Sequence, residues 1–305
     1  MSLADQTPYS DLSDHRSDKL YRFYRWYGLY GYCRTLPDLK IPYPLSFIMK
    51  PAIAQVCTLM GNLEKDVEDF AAGHCPAIEL YWSKVETYLK DRTVSQLLDL
   101  LQKHSMAAPV ASFQGGLLAS QGEARREAWS LFAERLELSR QLGVRTMVVQ
   151  CDVPAPLDTE TIDRVRVSLN DLARQAADRG VQIAIEPQAT SALGNNIQTA
   201  AVLVAEVDSK ALGICLDVFH FYTGCSKYCD LDYLTTDNLF HVQVSDLSDV
   251  PREFARDSDR IMPGDGDIPL APIVAHLRSI EYKQYVSLEL LNPQLWQIPA
   301  LQMGE

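Results

Sequence analysis

From about residue 52 to the C-terminus, the chain alternates short apolar runs with longer stretches in which apolar residues recur every three or four positions. Eight apolar runs stand out, at 52–59, 77–81, 108–113, 146–150, 182–186, 212–217, 239–244 and 285–290. Several are apolar almost throughout, as a parallel strand covered on both faces requires; a strand with one wet face would alternate. The stretches between them read as amphipathic helices, most clearly 122–142 and 159–179. In the second, Ile162, Val165, Leu169, Leu172 and Ala176 fall on one face. Gly180 follows at the place where a helix commonly ends in a left-handed residue. Eight strands alternating with helices predict a (β/α)8 TIM barrel over residues 51–305, ahead of an open doubly wound sheet. No G-x-G-x-x-G follows an early strand, so a dinucleotide-binding sheet finds no support.

Both ends depart from a minimal barrel. Residues 1–50 form an aromatic-rich extension containing Tyr21, Phe23, Tyr24, Trp26, Tyr27, Tyr30 and Tyr32. They read as a helical segment packed on the barrel flank, or as an arm covering a neighbouring subunit or the active-site mouth, which keeps a homodimer or tetramer open. Few residues follow Glu289 before the chain ends at Glu305. That is short for a loop and a full eighth helix. The expectation is a shortened C-terminus, with a helix near residues 18–30 covering part of the vacant flank.

Composition narrows the partners. The formal net charge of −12 repels phosphate backbones. The densest basic stretch, 164–179, is diluted by Asp163, Asp171 and Asp178 at helical spacing, so it reads as a solvated face and nucleic acid is not an expected partner. No apolar run is long enough to span a membrane, and no charged-then-apolar leader opens the chain. Seven cysteines, odd in number and irregularly spaced, suit a reducing compartment, so a cytoplasmic location is expected.

In such barrels chemistry gathers at the C-terminal ends of the strands. Read that way, the fifth run ends on Glu186, the sixth on Asp217 and the eighth on Glu289. A carboxylate at an apolar strand end is costly to bury unless it is paired or bound to a metal. Three of them converging on one mouth call for a divalent cation. Oxygen ligands without thiolates favour Mg2+ or Mn2+ over Zn2+, Co2+ or Fe2+. On the seventh run His241 and Gln243 lie two residues apart and share one face, so the residues alone leave both as fourth ligand.

The segments IAIEP, LGICLDVFH, HVQVSD, DRIMPGDGDIPL and YVSLELLNPQLW occur in this order at strand ends. Together they resemble the xylose isomerase-like barrel superfamily of sugar isomerases and epimerases, over roughly residues 50–300. The resemblance implies one divalent metal on Glu186, Asp217, Gln243 and Glu289, with His241 deeper in the barrel. It implies that His220 contacts substrate, and that Arg260, Asn196 and Glu79 occupy polar substrate-side positions, although Glu79 also reads as a structural acid inside the barrel. The implied reaction is proton abstraction next to the carbonyl of a small sugar or polyol-derived substrate, through an enediolate, with Glu186 and Glu289 on opposite sides. A dehydratase acting on an inosose- or dehydroshikimate-like substrate, with His220 protonating the leaving hydroxyl, is the alternative. Ketose 3-epimerases resemble one another in a second Glu and an Arg that here fall on Ala192 and Asp249, which argues against that subgroup. Apurinic endonucleases share the barrel, but their zinc sites are rich in histidine, and this acidic chain has six His in all.

Overall fold

The structure, a computed structural model, describes residues 49–305. The aromatic extension and its expected helix near 18–30 therefore lie outside the described residues. Eight parallel strands close into a barrel: β1 (Lys50–Ala54), β2 (Ala77–Tyr81), β3 (Ala107–Gln114), β4 (Thr146–Cys151), β5 (Gln182–Pro187), β6 (Leu212–Asp217), β7 (Leu239–Val244) and β8 (Tyr285–Leu288). β8 pairs back onto β1, with Lys50 opposite Tyr285 and Ile53 opposite Leu288.

The helices are α1 (Leu63–Ala72), α2 (Trp82–Tyr88), α3 (Val94–Lys103), α4 (Gly122–Leu142), α5 (Thr159–Ala177), α6 (Ile197–Val207), α7 (Val218–Thr223), α8 (Leu270–Ser279) and α9 (Ala300–Gly304). The main core lies between strands and helices. In α5, for example, Val165, Leu169, Leu172 and Ala176 are all buried. Gly180 takes φ +68°, and the Val181 N–H closes onto the Ala176 carbonyl, so the helix ends in the left-handed turn its glycine predicts.

A second, smaller apolar layer fills the barrel interior: Val110, Val148, Ala184 and Cys215, with Phe240 against it. The alternation of side chains along a strand does the rest. Glu186 lies two residues beyond Ala184 and Asp217 two beyond Cys215, so both carboxylates stand on the inward face, one layer nearer the C-terminal mouth. Register then sets the neighbours: Gln150 beside Glu186, Asp217 beside Gln243, and Val244 beside Leu288. Glu289 follows the last residue of β8 directly.

One strand end differs from the sequence reading. The first apolar run continues to residue 59, yet β1 stops at Ala54, and Gln55–Thr58 turn into a 3-10 helix. Gln55 is fully buried, accepts from the Tyr81 N–H (3.0 Å) and donates to Asp66 (2.8 Å), so its amide ties the turn to β2 and α1. At the C-terminus a short α9 packs on α1. A Cβ on Gly73 would lie 2.5 Å from the Leu301 carbonyl oxygen, so these two elements meet backbone to backbone. The expected shortened C-terminus is thus a five-residue helix seated against α1.

Candidate metal centre and active site

The mouth of the barrel is built on Asp217. It closes β6 and caps α7, its Oδ1 accepting from the Phe219 N–H at 2.8 Å, which fixes the direction of the carboxylate. α7 carries His220, whose Nε2 lies 3.7 Å from Asp217 Oδ2 and 3.9 Å from Glu186 Oε1. Ligand atoms of Glu186, Asp217 and His220 lie within 4.8 Å of one another, and all three residues are buried. Among the described residues this is the one such cluster of metal-ligating types.

Arg260 closes the ring from above. Its guanidinium donates to Asp217 through Nη2 (2.6 Å) and Nη1 (3.1 Å), to Asp257 through Nε (3.1 Å) and Nη2 (2.8 Å), and to Ser245 through Nη1 (3.3 Å). It stacks over the Phe219 ring at 4.4 Å and is 1% exposed. Burial works against its charge, but Asp217, Glu289 and Asp257 outweigh that and hold the guanidinium well above its ordinary pKa. Burial also works against Asp217, yet Arg260 and His220 keep its carboxyl below the ordinary range.

The other two carboxylates fare differently. Burial, followed by the charge of Asp217, pushes Glu186 well above the usual carboxylate range. Burial does the same to Glu289, reinforced by Asp217 and Glu186 and opposed by Arg260. Glu289 Oε1 accepts from Gln243, but Oε2 is buried without a hydrogen-bond donor. Arg260 Nη1 lies 3.1 Å from that oxygen without the angle for a hydrogen bond. A buried acceptor with no donor, beside two further carboxylates and an imidazole, is a donor set that fits a hard divalent cation.

Below this ring runs a polar layer that stays inside the barrel. Glu79, fully buried, meets His241 Nε2 at 2.8 Å through Oε2 and accepts from Gln243 Nε2 at 2.8 Å through Oε1. Ser287 lies 3.1 Å from the same His241 nitrogen. Burial would raise Glu79, but His241 and the Ser287 and Ser112 hydroxyls bring it below the ordinary range. Both of its oxygens are engaged in the interior, by His241 and by Gln243. His241 does lie deeper than Gln243. Gln243 presents Nε2 to Glu79 and Glu289, while its oxygen accepts from Cys215 Sγ at 3.1 Å. In this orientation the amide is a donor to the site, and service as an oxygen ligand requires it to turn over.

The remaining predicted residue, Asn196, caps α6. Its Oδ1 accepts from the Thr199 N–H at 2.8 Å and its Nδ2 donates to Asn195 at 2.8 Å, so both ends of the amide are engaged locally. Sequence reasoning passed over Asp257, Ser245 and Asp246. Asp246 accepts from the N–H groups of Leu247, Ile268 and Gly264, which shapes the loop that carries Arg260. A readable signal existed for Asp257: it stands three residues before Arg260, a spacing that brings side chains together in one turn.

The closed barrel and this mouth define the class, and the chain belongs to the family of xylose isomerase-like TIM barrels, whose profile matches residues 70–303. Among curated relatives, an inosose isomerase of Halalkalibacterium halodurans is 30% identical over 266 residues, which span 83% of this chain and 91% of the relative. A 3-dehydroshikimate dehydratase of Pseudomonas putida is 26% identical over 265 residues, spanning 83% of this chain but 40% of the relative. Among solved structures, the crystal structure of IOLI protein with a binding zinc atom superposes with a TM-score of 0.78 at 27% identity, covering 84% of this chain and 94% of the other. The family is one of sugar isomerases, epimerases and dehydratases, and this chain carries a site able to hold a metal. No helix among the described residues is long and apolar enough to cross a membrane.

Proposed function

We propose that this protein is a divalent-metal-dependent isomerase of a cyclic polyhydroxy ketone of the inosose kind. One observation carries the reading. Glu186 and Glu289 stand buried at the ends of β5 and β8, on either side of Asp217. Glu186 Oε1 lies 3.9 Å from His220 Nε2, outside hydrogen-bond distance, and Glu289 has one buried oxygen with no donor. Protein carboxylates are rarely left so unless something else is meant to meet them.

A cation held by Glu186, Asp217 and Glu289, with His220 or a turned Gln243 completing the set, would supply Lewis-acid polarisation of the substrate carbonyl. The chain's own residues do the rest. One glutamate takes the proton from the carbon that bears the hydroxyl next to the carbonyl, giving an enediol. The other returns a proton to the former carbonyl carbon, while the hydroxyl proton moves between the two oxygens. Nothing is lost or gained in composition. The reading gives His220, whose Nε2 lies 3.9 Å from Glu186 and 3.7 Å from Asp217, the role of hydrogen-bonding a substrate oxygen. The inosose kind of substrate is favoured by the relatives of that name, which match over nearly their whole length. Dehydration is the second reading. It shares the first proton abstraction and is supported by His220, which would donate to the leaving hydroxyl, and by the dehydroshikimate dehydratases.

The test is incubation with an inosose and Mn2+ in D2O, followed by mass spectrometry. Isomerisation gives a product of unchanged formula carrying solvent deuterium on carbon. Loss of water with formation of a conjugated enone would replace the first reading by the second. Neither outcome, with Mn2+ bound, would remove both.

A further inference from the structure

We propose that Arg260 is a resident cation of this centre, and that a divalent ion binds there in competition with it. The inference rests on the metal-dependent reading above and concerns how tightly the ion is held.

The contacts of the guanidinium show the overlap. It holds both oxygens of Asp217, at 2.6 and 3.1 Å, and approaches the donorless oxygen of Glu289 to 3.1 Å. Nη2 is also 3.5 Å from His220 Nε2. One positive group therefore reaches two of the carboxylates and the imidazole that a metal would use. Asp217 Oδ1 already accepts from the Phe219 N–H as well. An ion that ligates Asp217 has to share or displace a guanidinium N–H, and the two positive charges repel across a buried, weakly screened space.

The support behind Arg260 shows that this placement is built into the fold. Asn292 Nδ2 donates to the Arg260 carbonyl at 3.0 Å, and the next residue, Ile261, bridges to Asp246 through a pair of backbone hydrogen bonds at 2.9 Å. Asp246 in turn gathers three backbone N–H groups of the same loop, and a Cβ on Gly266 would lie 2.4 Å from its carboxylate. Asp257 grips the outer edge of the guanidinium and Phe219 lies under its face. An arginine kept as a free fork for substrate would present open N–H groups. Here each of the three nitrogens already donates to a side chain of the protein.

Mn2+ binding to the full chain, measured by titration calorimetry, tests the proposal on three proteins: wild type, Arg260→Gln and Arg260→Lys. Gln removes the charge; Lys keeps it. The expected result is a Kd lower by about tenfold or more in Arg260→Gln, with Arg260→Lys much closer to wild type. A Kd in Arg260→Gln equal to or weaker than wild type would overturn the proposal and make Arg260 a scaffold for Asp217. Arg260→Gln leaves Asp217, Glu289 and Asp257 together without a cation, so its folding has to be followed as well. If it unfolds without metal, the Mn2+-induced rise in its thermal midpoint decides instead. A rise larger than in wild type is expected, and an equal or smaller one overturns the proposal. Absence of Mn2+ binding in all three proteins would overturn the metal-dependent reading and this inference with it. Binding in all three without the gain in Arg260→Gln would overturn this inference alone.

Discussion

The side-chain nitrogen of Gln243 donates to Glu79 at 2.8 Å and to Glu289 at 2.9 Å, so one neutral amide joins an acid of the barrel interior to an acid at its mouth. Both carboxylates lean on the same NH2 group, and Glu289 is thereby held with its other oxygen towards Arg260. Gln243→Leu is expected to cost about 3 kcal/mol of stability, because two buried acceptors each lose a donor. It should also lower turnover by freeing Glu289. Chemical denaturation and kcat measured side by side check this; a variant as stable as wild type would show that the amide carries neither acid.

A second buried ionic site lies just past the C-terminal end of β1. Lys84 Nζ donates to Asp66 at 2.7 Å and to the Thr58 carbonyl at 2.7 Å, while Gln55 and Thr58 donate to the same carboxylate. Burial raises the Asp66 carboxyl above 3.8, and Lys84 opposes that rise. A carboxyl raised in the folded state binds its proton more tightly than the unfolded chain does, so its contribution to stability falls as pH rises through that window. Lys84→Met should raise Asp66 further. Its cost should be small near pH 4 and grow towards neutrality, reaching about 3–5 kcal/mol. Lys84→Met combined with Asp66→Asn should recover much of that loss. Denaturation midpoints across pH distinguish this from a cost that is flat with pH.

Thiol reactivity should divide the six described cysteines cleanly. Cys225 and Cys229 are exposed, whereas Cys57, Cys75, Cys151 and Cys215 are buried. Burial pushes Cys75 up to about 11 and the other three higher still. The thiolate is the reactive form, so iodoacetamide at pH 8 should label Cys225 and Cys229 first, with the buried four following only on unfolding. Peptide mapping reads this directly. Early labelling of Cys215, which donates to Gln243, would mean that the barrel interior opens.

Removal of divalent ions should destabilise the fold. An ion present at about 100 times its Kd adds roughly 2.7 kcal/mol by linkage, worth several degrees in a barrel of this size. A thermal midpoint that rises with Mn2+, falls with a chelator and responds weakly in Glu186→Gln is expected. A midpoint indifferent to Mn2+ at millimolar concentration would count against the metal centre.

The barrel was legible because its signal is local. The bounds of β2, β6 and β7 coincide with their apolar runs, and Glu186, Asp217 and Glu289 sit at strand ends where spacing alone finds them. The apolar run overshoots β1, which ends at Ala54, because it does not reveal that Gln55 turns inward to bond Tyr81 and Asp66. The shared face of His241 and Gln243 followed from their spacing, but which end of the Gln243 amide meets Glu289 depends on Glu79, distant in sequence. Arg260 shows the same limit. Its partner Asp217 is 43 residues away, and nothing in the run DSDR separates an arginine that waits for substrate from one already buried among carboxylates.

The central claim is that Glu186 and Glu289 exchange a proton at the carbon next to a carbonyl. It is tested most directly by following the signal of that C–H by NMR in D2O, with an inosose and saturating Mn2+, in wild type, Glu186→Gln and Glu289→Gln. Wild type is expected to exchange the proton and form the isomer, and each variant to lose isomerisation by about 10²-fold or more. Isomerisation at the wild-type rate in either variant, with Mn2+ still bound, would contradict it.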